Sequence, residues 1–185
     1  RIAITYMTPV VLLSDLYVAN GSEPWRVPNI VDLPEIENSF ASEDEEYVIY
    51  RRDPETLART QAIPGQVGLE HRIGGLEKGE DGGVSYDPEN HEEMTKLRAE
   101  KVEVISKSFK PLDIRGESEG DLLVIGWGGT YGAISSAVGN LIEEGFSVSS
   151  VHLRHLNPLH DDLGELMGRF KKVIVPELNL GQLAL

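Results

Sequence analysis

The feature that most constrains the fold is a regular alternation of strand and helix patterns in the last third of the sequence. Continuous apolar runs predict buried strands, and apolar residues at helical spacing between glycine turns predict the helices that connect them. The predicted strands cover residues 122–127, 148–156 and 171–176, and the helices cover residues 133–144 and a segment that begins at Asp161 or Asp162. Units of this kind join by right-handed crossovers, so the sequence predicts an α/β fold with a small parallel three-strand βαβαβ domain. After the third strand, Asn179 is placed to cap a further helix.

The first two thirds of the sequence are less regular. Residues 9–15 form an apolar run that predicts a strand covered on both faces. Between Pro28 and Arg115, prolines, glycines and acidic residues leave little room for long regular elements. One helix is predicted there, near residues 88–105, because Asp87 is a suitable N-cap and Pro88 suits the first helical position. These patterns divide the chain into a first segment (1–33), a long connector (34–117) and the α/β domain (118–185).

Charge and cysteine content restrict the classes of function. The chain has 17 basic and 31 acidic residues, a formal net charge of −14 and no cysteine. An acidic chain repels phosphate backbones and anionic membranes, so neither nucleic acid nor a membrane is an expected partner. Without cysteine, the chain itself can form no disulfide and ligate no iron–sulfur cluster through thiolates. The longest apolar stretch, residues 10–13, is too short to span a bilayer, and we expect a cytoplasmic protein.

Some motifs resemble functional sites without matching them. The turn at residues 126–132 lies between a strand and a helix, as a dinucleotide-binding fingerprint does, but it has Tyr131 where that fingerprint needs glycine. His91 begins a sequence like that of a zinc-binding helix, but the second histidine is missing. His152 and His155 would point to opposite faces of a straight strand, which disfavours a shared metal. The favoured interpretations are a packing turn at residues 126–132, a solvated helix face at His91, and surface histidines at positions 152 and 155.

Several strings spread over nearly the whole chain point to one family when they are taken together. They lie at residues 6–15 (YMTPVVLLSD), 19–25 (ANGSEPW), 68–71 (GLEH), 87–91 (DPENH), 126–134 (GWGGTYGAI) and 176–183 (PELNLGQL). Jointly they resemble the alpha subunits of 2-oxoacid:ferredoxin oxidoreductases, especially the 2-oxoglutarate type. The resemblance identifies residues 1–33 as the end of a thiamine pyrimidine-binding domain and residues 118–185 as a transketolase C-terminal-like domain. We therefore interpret the sequence as a C-terminal fragment of such a subunit.

The resemblance also implies an activity with its cofactors and partners. Members of the family oxidatively decarboxylate a 2-oxo acid on thiamine diphosphate, pass electrons through 4Fe-4S clusters to ferredoxin and release an acyl-CoA. Mg²⁺, the diphosphate site and the cluster cysteines belong to the beta subunit in that family. The glutamate that activates the thiamine ring would precede Arg1. The fragment is thus expected to support assembly and the substrate pocket, to bind no cofactor by itself and to be inactive alone.

Three residues of one loop are the candidates for the substrate pocket. By resemblance, the loop 68–71 approaches the 2-oxo acid, and His71 is able to donate a hydrogen bond to a carboxylate. Arg72 either favours a second carboxylate, such as that of 2-oxoglutarate, or faces solvent. Glu70 is either part of the pocket or only the ion-pair partner of Arg72. The alternative function is a noncatalytic α/β module that binds a nucleotide or a partner through its glycine-rich loop.

Overall fold

The computed structural model describes residues 1–36, 38–42 and 46–184. The chain divides into two compact units, one formed by Arg1–Val10 and Arg26–Ile105, the other by Val11–Trp25 and Ser106–Leu185. The division into segments 1–33, 34–117 and 118–185 stays a prediction.

The regular elements within the described ranges are five α-helices and four β-strands. The helices are α1 (Ile2–Thr5), α2 (Leu16–Ala19), α3 (Pro88–Glu103), α4 (Tyr131–Glu143) and α5 (Leu163–Gly168). The strands are β1 (Ile114–Arg115), β2 (Gly120–Trp127), β3 (Val148–Leu153) and β4 (Phe170–Ile174). Short 3₁₀ helices cover Ile30–Asp32, Val104–Ser108 and Gly128–Thr130.

The second unit is built around a four-stranded sheet with the order β1-β3-β2-β4. Strand β2 pairs in parallel with both β3 and β4, and the succession β2–α4–β3–α5–β4 confirms the predicted α/β fold. The number of strands is corrected from three to four, because β1 adds to β3 in the antiparallel direction, with Ile114 opposite Val151. A strand of two residues is too short to leave a periodic pattern in a sequence.

The core of this unit lies between the sheet and its helices. Strand β3 is buried at every position except His152, as expected of a strand with neighbours on both sides. The helical spacing of apolar residues predicts that Ile142 faces inward and that Phe170 belongs to the apolar face of the helix after Asp162. In the structure, Ile142 of α4 is 38% exposed and Phe170 is the first residue of β4. The buried cluster consists of Leu123, Ile125, Val151, Leu153, Leu163, Leu166 and Phe170.

Helix α3 is the main regular element of the first unit. The side chain of Asp87 accepts a hydrogen bond from the amide of Glu89 at 3.0 Å, and Pro88 is the first helical residue. These two observations confirm the predicted helix start. The helix buries Met94 and is otherwise mostly polar, so its position depends on polar contacts as well as on apolar packing.

A buried lysine holds the glycine-rich loop against α3. The side chain of Lys78 is 2% exposed, and its ammonium group donates hydrogen bonds to the carbonyls of Gly74 (3.1 Å) and Leu76 (2.7 Å). The side chain of Asn90, in α3, donates to the carbonyl of Lys78 at 3.1 Å. An ammonium ion that is buried needs acceptors in fixed positions, so these bonds order the loop that follows the predicted site.

Two elements predicted from the sequence are absent from the described residues. Residues 9–15 are not a strand: none of the described strands pairs with them, and Val11 and Leu12 are 80% and 90% exposed. A strand needs a neighbour for its backbone hydrogen bonds. The helix expected after Asn179 is a turn, in which Asn179 Oδ1 accepts from the amide of Gly181 at 2.7 Å. No helix in the described part of the chain has both the length and the apolar character that crossing a membrane requires.

Candidate functional site

A cavity of about 430 Å³ in the first unit contains the predicted site loop. Its wall is formed by residues 59–66 together with Met7, Tyr47, Glu70 and His71. The structure therefore brings two of the three predicted pocket residues, Glu70 and His71, to one cavity, which we call the His71 cavity.

The orientation of His71 is set by its own loop. Gly68 has a φ of +81°, a backbone conformation that favours glycine, and it turns the chain into the loop. His71 Nδ1 lies 2.8 Å from the carbonyl oxygen of Leu69. A carbonyl oxygen only accepts, so Nδ1 carries the proton and donates. This leaves Nε2 for a ligand: it accepts when the imidazole is neutral and donates only when the ring is protonated.

Tyr47 supports the ring of His71 from the side of the cavity. The two ring centroids lie 5.8 Å apart at an interplanar angle of 48°. The hydroxyl of Tyr47 donates to the carbonyl of Thr60 at 3.4 Å, which connects this ring to the wall formed by residues 59–66. The histidine is therefore held by contacts on two sides.

The two residues next to His71 in the sequence differ in their position relative to the cavity. Glu70 is exposed at the edge of the cavity, and Arg72 is exposed and does not line it. The ion pairs found among the described residues do not include Glu70 with Arg72. The roles suggested for these two residues stay predictions.

Four cations of the first unit lie close enough to affect one another. Arg98 is paired with the carboxylate of Glu77 at 3.1 and 3.2 Å. Burial lowers the pKa of Lys101, and the charges of Arg52, Arg59 and Arg98 lower it further. Burial also lowers the pKa of Arg52, with Arg59 and Arg98 again adding to the shift. Like charges gathered in this way favour a bound anion.

The contacts of three of these cations are to neutral groups. Lys101 Nζ donates to the carbonyl of Met7 at 2.9 Å, and Met7 lines the His71 cavity. The guanidinium of Arg59 lies 4.5 Å from the centroid of the Tyr50 ring. Arg52 donates to a main-chain carbonyl at 3.0 Å, while its buried Nε has no hydrogen-bond partner. Among the described lining residues, Arg59 brings a positive and Glu70 a negative charge, and Lys101 lies next to the lining through its contact with Met7.

Sequence reasoning missed Arg59 and Lys101. Arg59 belongs to the cavity wall, and Lys101 lies on α3. They are far apart along the chain and share no motif, so no local pattern connects them. The one signal in the sequence is that basic residues are scarce in an acidic chain, and this signal does not show which basic residues lie close together in the fold.

The glycine turn after β2 makes its contacts within the chain. Trp127 Nε1 donates to the carboxylate of Glu177 at 3.0 Å, and the amide of Leu183 donates to the same carboxylate. The carboxylate of Asp15 lies against Gly129, so close that a side chain at position 129 would overlap with it. A carboxylate in this position repels phosphate, which disfavours a dinucleotide at the turn itself.

The histidines of the sequence analysis have structural contacts. The ring of His155 stacks on Phe109 with centroids 3.9 Å apart, and burial lowers the pKa of His155. His91 Nδ1 lies 3.1 Å from the carboxylate of Glu77. Among the described residues, no group of three or more histidine and acidic side chains is placed to hold a metal ion.

Comparison with known proteins identifies the family. No protein-family model matches the chain. The 2-oxoglutarate oxidoreductase subunit KorA of Mycobacterium tuberculosis is 51% identical to it over 186 residues, which is all of this chain and 28% of that protein. The chain belongs to the family of 2-oxoacid:ferredoxin oxidoreductase alpha subunits. Within this family, the 2-oxoglutarate synthase subunit KorA of Archaeoglobus fulgidus is 30% identical over 98% of the chain and 45% of its own length.

A solved structure of the same family agrees with this assignment. It is a 2-oxoglutarate:ferredoxin oxidoreductase from Magnetococcus marinus with 2-oxoglutarate, coenzyme A and succinyl-CoA bound. The match has a TM-score of 0.77 at 32% sequence identity and covers 85% of this chain and 28% of that chain. The family resemblance predicted from the sequence is confirmed. The chain spans less than half the length of the two curated relatives described here.

Proposed function

We propose that the chain is the C-terminal part of the alpha subunit of a thiamine diphosphate-dependent 2-oxoglutarate:ferredoxin oxidoreductase. The reaction converts a 2-oxo acid, CoA and oxidised ferredoxin to an acyl-CoA, CO₂ and reduced ferredoxin. The observation that carries the proposal is the 51% identity to a 2-oxoglutarate oxidoreductase subunit along the whole chain. The chain would contribute assembly contacts and substrate-pocket support, would be inactive alone and would work in the cytoplasm.

In this proposal the His71 cavity receives the negatively charged end of the oxo acid. Arg59 in its wall and Lys101 nearby supply a positive field that attracts a carboxylate. Nε2 is the ring nitrogen of His71 that is left to contact that carboxylate, since Nδ1 is already bonded within the loop, and it donates only when the ring carries both protons. Arg72 is exposed outside the lining of the cavity, where it either contacts the second carboxylate of 2-oxoglutarate or faces solvent, and Glu70 lies at the edge of the cavity.

The cofactors of the whole enzyme have to be held largely outside this chain. Thiamine diphosphate supplies the carbanion chemistry when it is bound. The chain has no cysteine, so 4Fe-4S clusters held by thiolates need ligands from another polypeptide or segment. Following the family resemblance, we assign thiamine diphosphate, Mg²⁺ and the clusters to the complex with the beta subunit, and ferredoxin to that complex as its electron acceptor.

An assembly role is supported by apolar residues that the described part of the chain leaves exposed. Between residues 10 and 33, large apolar side chains reach the surface at many positions, with Leu12 at 90% and Tyr17 at 88% exposure. Exposed apolar surface of this extent is typical of a segment that is covered in a larger assembly. We propose that this segment packs in the complete enzyme.

The proposal is tested with the complete alpha subunit produced together with its beta subunit. We expect a thiamine-dependent complex that reduces ferredoxin when 2-oxoglutarate and CoA are both present. Replacement His71→Ala should raise the Michaelis constant for 2-oxoglutarate and lower kcat/KM roughly ten- to a hundred-fold, because one charge-assisted hydrogen bond is lost. Arg51→Ala is the matched control, since Arg51 is exposed in the same unit and lies outside the cavity.

The outcomes test the proposed enzyme and the proposed substrate site separately. A complex without oxo acid-dependent ferredoxin reduction would contradict the proposed enzyme. If the complex is active and His71→Ala has the kinetics of the unchanged enzyme, the proposed enzyme is supported and the proposed role of His71 in the substrate pocket is contradicted. Arg72→Ala distinguishes the two roles of Arg72: a larger loss with 2-oxoglutarate than with pyruvate supports contact with the second carboxylate, and equal rates place Arg72 in solvent.

A further inference from the structure

The second unit has a cavity of its own, with a volume of about 330 Å³. It lies beside the carboxyl end of β3, next to the first turns of α4 and to β1. Its volume is within the range of small-molecule sites. Its main polar lining residues are Asp113, Arg115, Ser135, Ser150, His152 and Arg154. We call it the β3 cavity.

Two arginines give the β3 cavity a positive charge. Neither Arg115 nor Arg154 has an ion pair with a carboxylate of the described residues. Asp113 is the one acidic residue in the described lining, so the two guanidinium groups outnumber it. An excess of guanidinium groups around a concave surface favours binding of an oxyanion.

The position of Arg115 depends on a glycine of the neighbouring helix. Its Nη2 atom lies 2.5 Å from the point that the Cβ of any other residue at position 139 would occupy. Gly139 thus lets the guanidinium lie close to α4 while Arg115 still lines the cavity.

Neutral hydrogen-bonding groups complete the lining. Ser150 is only 6% exposed, and it lines the cavity. Burial lowers the pKa of His152, and Arg154 lowers it further, so His152 is a neutral hydrogen-bonding group near pH 7. The ring of Tyr131 meets His152 edge-on with centroids 5.0 Å apart and closes one side. These side chains are able to donate hydrogen bonds to a ligand in the cavity or to accept them from it.

We propose that the β3 cavity binds the phosphate group of a small molecule, with Arg115 and Arg154 as its charged contacts and Ser150 as a buried donor. A phosphate has several acceptor oxygens pointing in different directions, and it suits donors that surround a site. A carboxylate is satisfied by one planar bidentate arginine. Asp15 and Gly129, which disfavour phosphate at the glycine turn, are not part of this lining. The site is independent of the oxo acid site proposed for the first unit.

The test is a titration of the isotopically labelled 185-residue chain, followed by backbone amide shifts at constant ionic strength. The probes are inorganic phosphate, ADP and succinate. We expect saturable shifts for the amides of Ser135, Ser150 and His152 with inorganic phosphate. Arg154→Gln should weaken the binding about ten-fold or more, since it removes a charge-assisted contact. Arg169→Gln is the matched control, because Arg169 is an exposed arginine of the same unit, paired with Glu165 outside the cavity.

A second variant is designed to move the guanidinium of Arg115 without removing its charge. Gly139→Ala should displace Arg115 and weaken phosphate binding several-fold, while thermal unfolding shows that the chain stays folded. Tighter binding of ADP than of inorganic phosphate would identify a nucleotide as the source of the phosphate, and the reverse order would identify free phosphate; both support the site. The proposal is overturned if the shifts do not saturate, if Arg169→Gln weakens binding as much as Arg154→Gln, or if succinate binds more tightly than phosphate.

Discussion

Replacing Gly116 by alanine perturbs the edge of the sheet where β1 joins β3. Gly116 has a φ of +105°, which side chains rarely adopt. A Cβ there would lie 2.5 Å from Ser149 Oγ and 2.9 Å from the carbonyl oxygen of Val148. The carbonyl belongs to an interior strand of the sheet and cannot move without it. Ser149 is 1% exposed and donates to the carbonyl of Glu117 at 2.8 Å, a bond that the new methyl group would break.

The magnitude follows from these contacts. A side chain at a positive φ costs about 1–3 kcal/mol. The loss of the Ser149 hydrogen bond adds about 0.5–1.5 kcal/mol. We therefore expect Gly116→Ala to lower the free energy of unfolding of this unit by about 2–4 kcal/mol, a large share of the about 5–15 kcal/mol that is typical of a domain.

The assay is urea unfolding followed by near-ultraviolet circular dichroism. Gly168→Ala is the matched control: Gly168 is the last residue of α5, and a Cβ there would have no heavy atom within 4 Å. Its replacement should raise the free energy of unfolding by up to about 1 kcal/mol, because alanine restricts the unfolded chain. If Gly116→Ala unfolds within about 0.5 kcal/mol of the unchanged chain, the proposed strain at the sheet edge is refuted.

Two further predictions concern the core and the cation cluster. Leu123→Ala should lower the free energy of unfolding by about 2–5 kcal/mol, since Leu123 is fully buried. Leu178 is 96% exposed, so Leu178→Ala should change the free energy of unfolding by less than about 0.5 kcal/mol. Similar urea midpoints for the two variants would contradict the assigned core. The folded state lowers the pKa of Lys101 below 10.5, so the unfolded chain holds this proton more tightly and stability should rise as the pH increases through the folded pKa towards 10.5. Lys101→Met should reduce that rise in a series of thermal unfolding curves at alkaline pH, and an unchanged slope would show that Lys101 is not the group responsible.

The parts of the fold predicted from the sequence depend on near neighbours in the chain. The start of α3 follows from Asp87 and Pro88, whose capping contacts reach only a few residues. The succession of β2, α4, β3, α5 and β4 follows from apolar periodicity within each element and from the handedness of crossovers. By contrast, β1 depends on a neighbour more than thirty residues away along the chain, at β3, and the sequence pattern did not indicate it.

The candidate site divides in the same way. The loop that contains His71 and Glu70 was recognised from its sequence string, and the structure places both residues at one cavity. The tautomer of His71 depends on the position of the Leu69 carbonyl, which the sequence does not specify. The predicted strand at residues 9–15 is not formed, and its apolar side chains are exposed. An apolar pattern shows that a segment is suited to a buried strand, but it does not show which segment would pair with it.

By itself, the sequence determined the α/β succession of the second unit, the helix at α3, the absence of cysteine ligands and the family of the chain. These properties are local patterns or strings, and they can be recognised without knowing which distant residues are in contact. Only the tertiary structure decided that Arg59 and Lys101 lie close enough to influence each other beside the His71 cavity, and that Arg115 and Arg154 border the β3 cavity. Charges from distant positions come together only when the chain packs, since packing sets both their distances and the burial that strengthens their mutual effect.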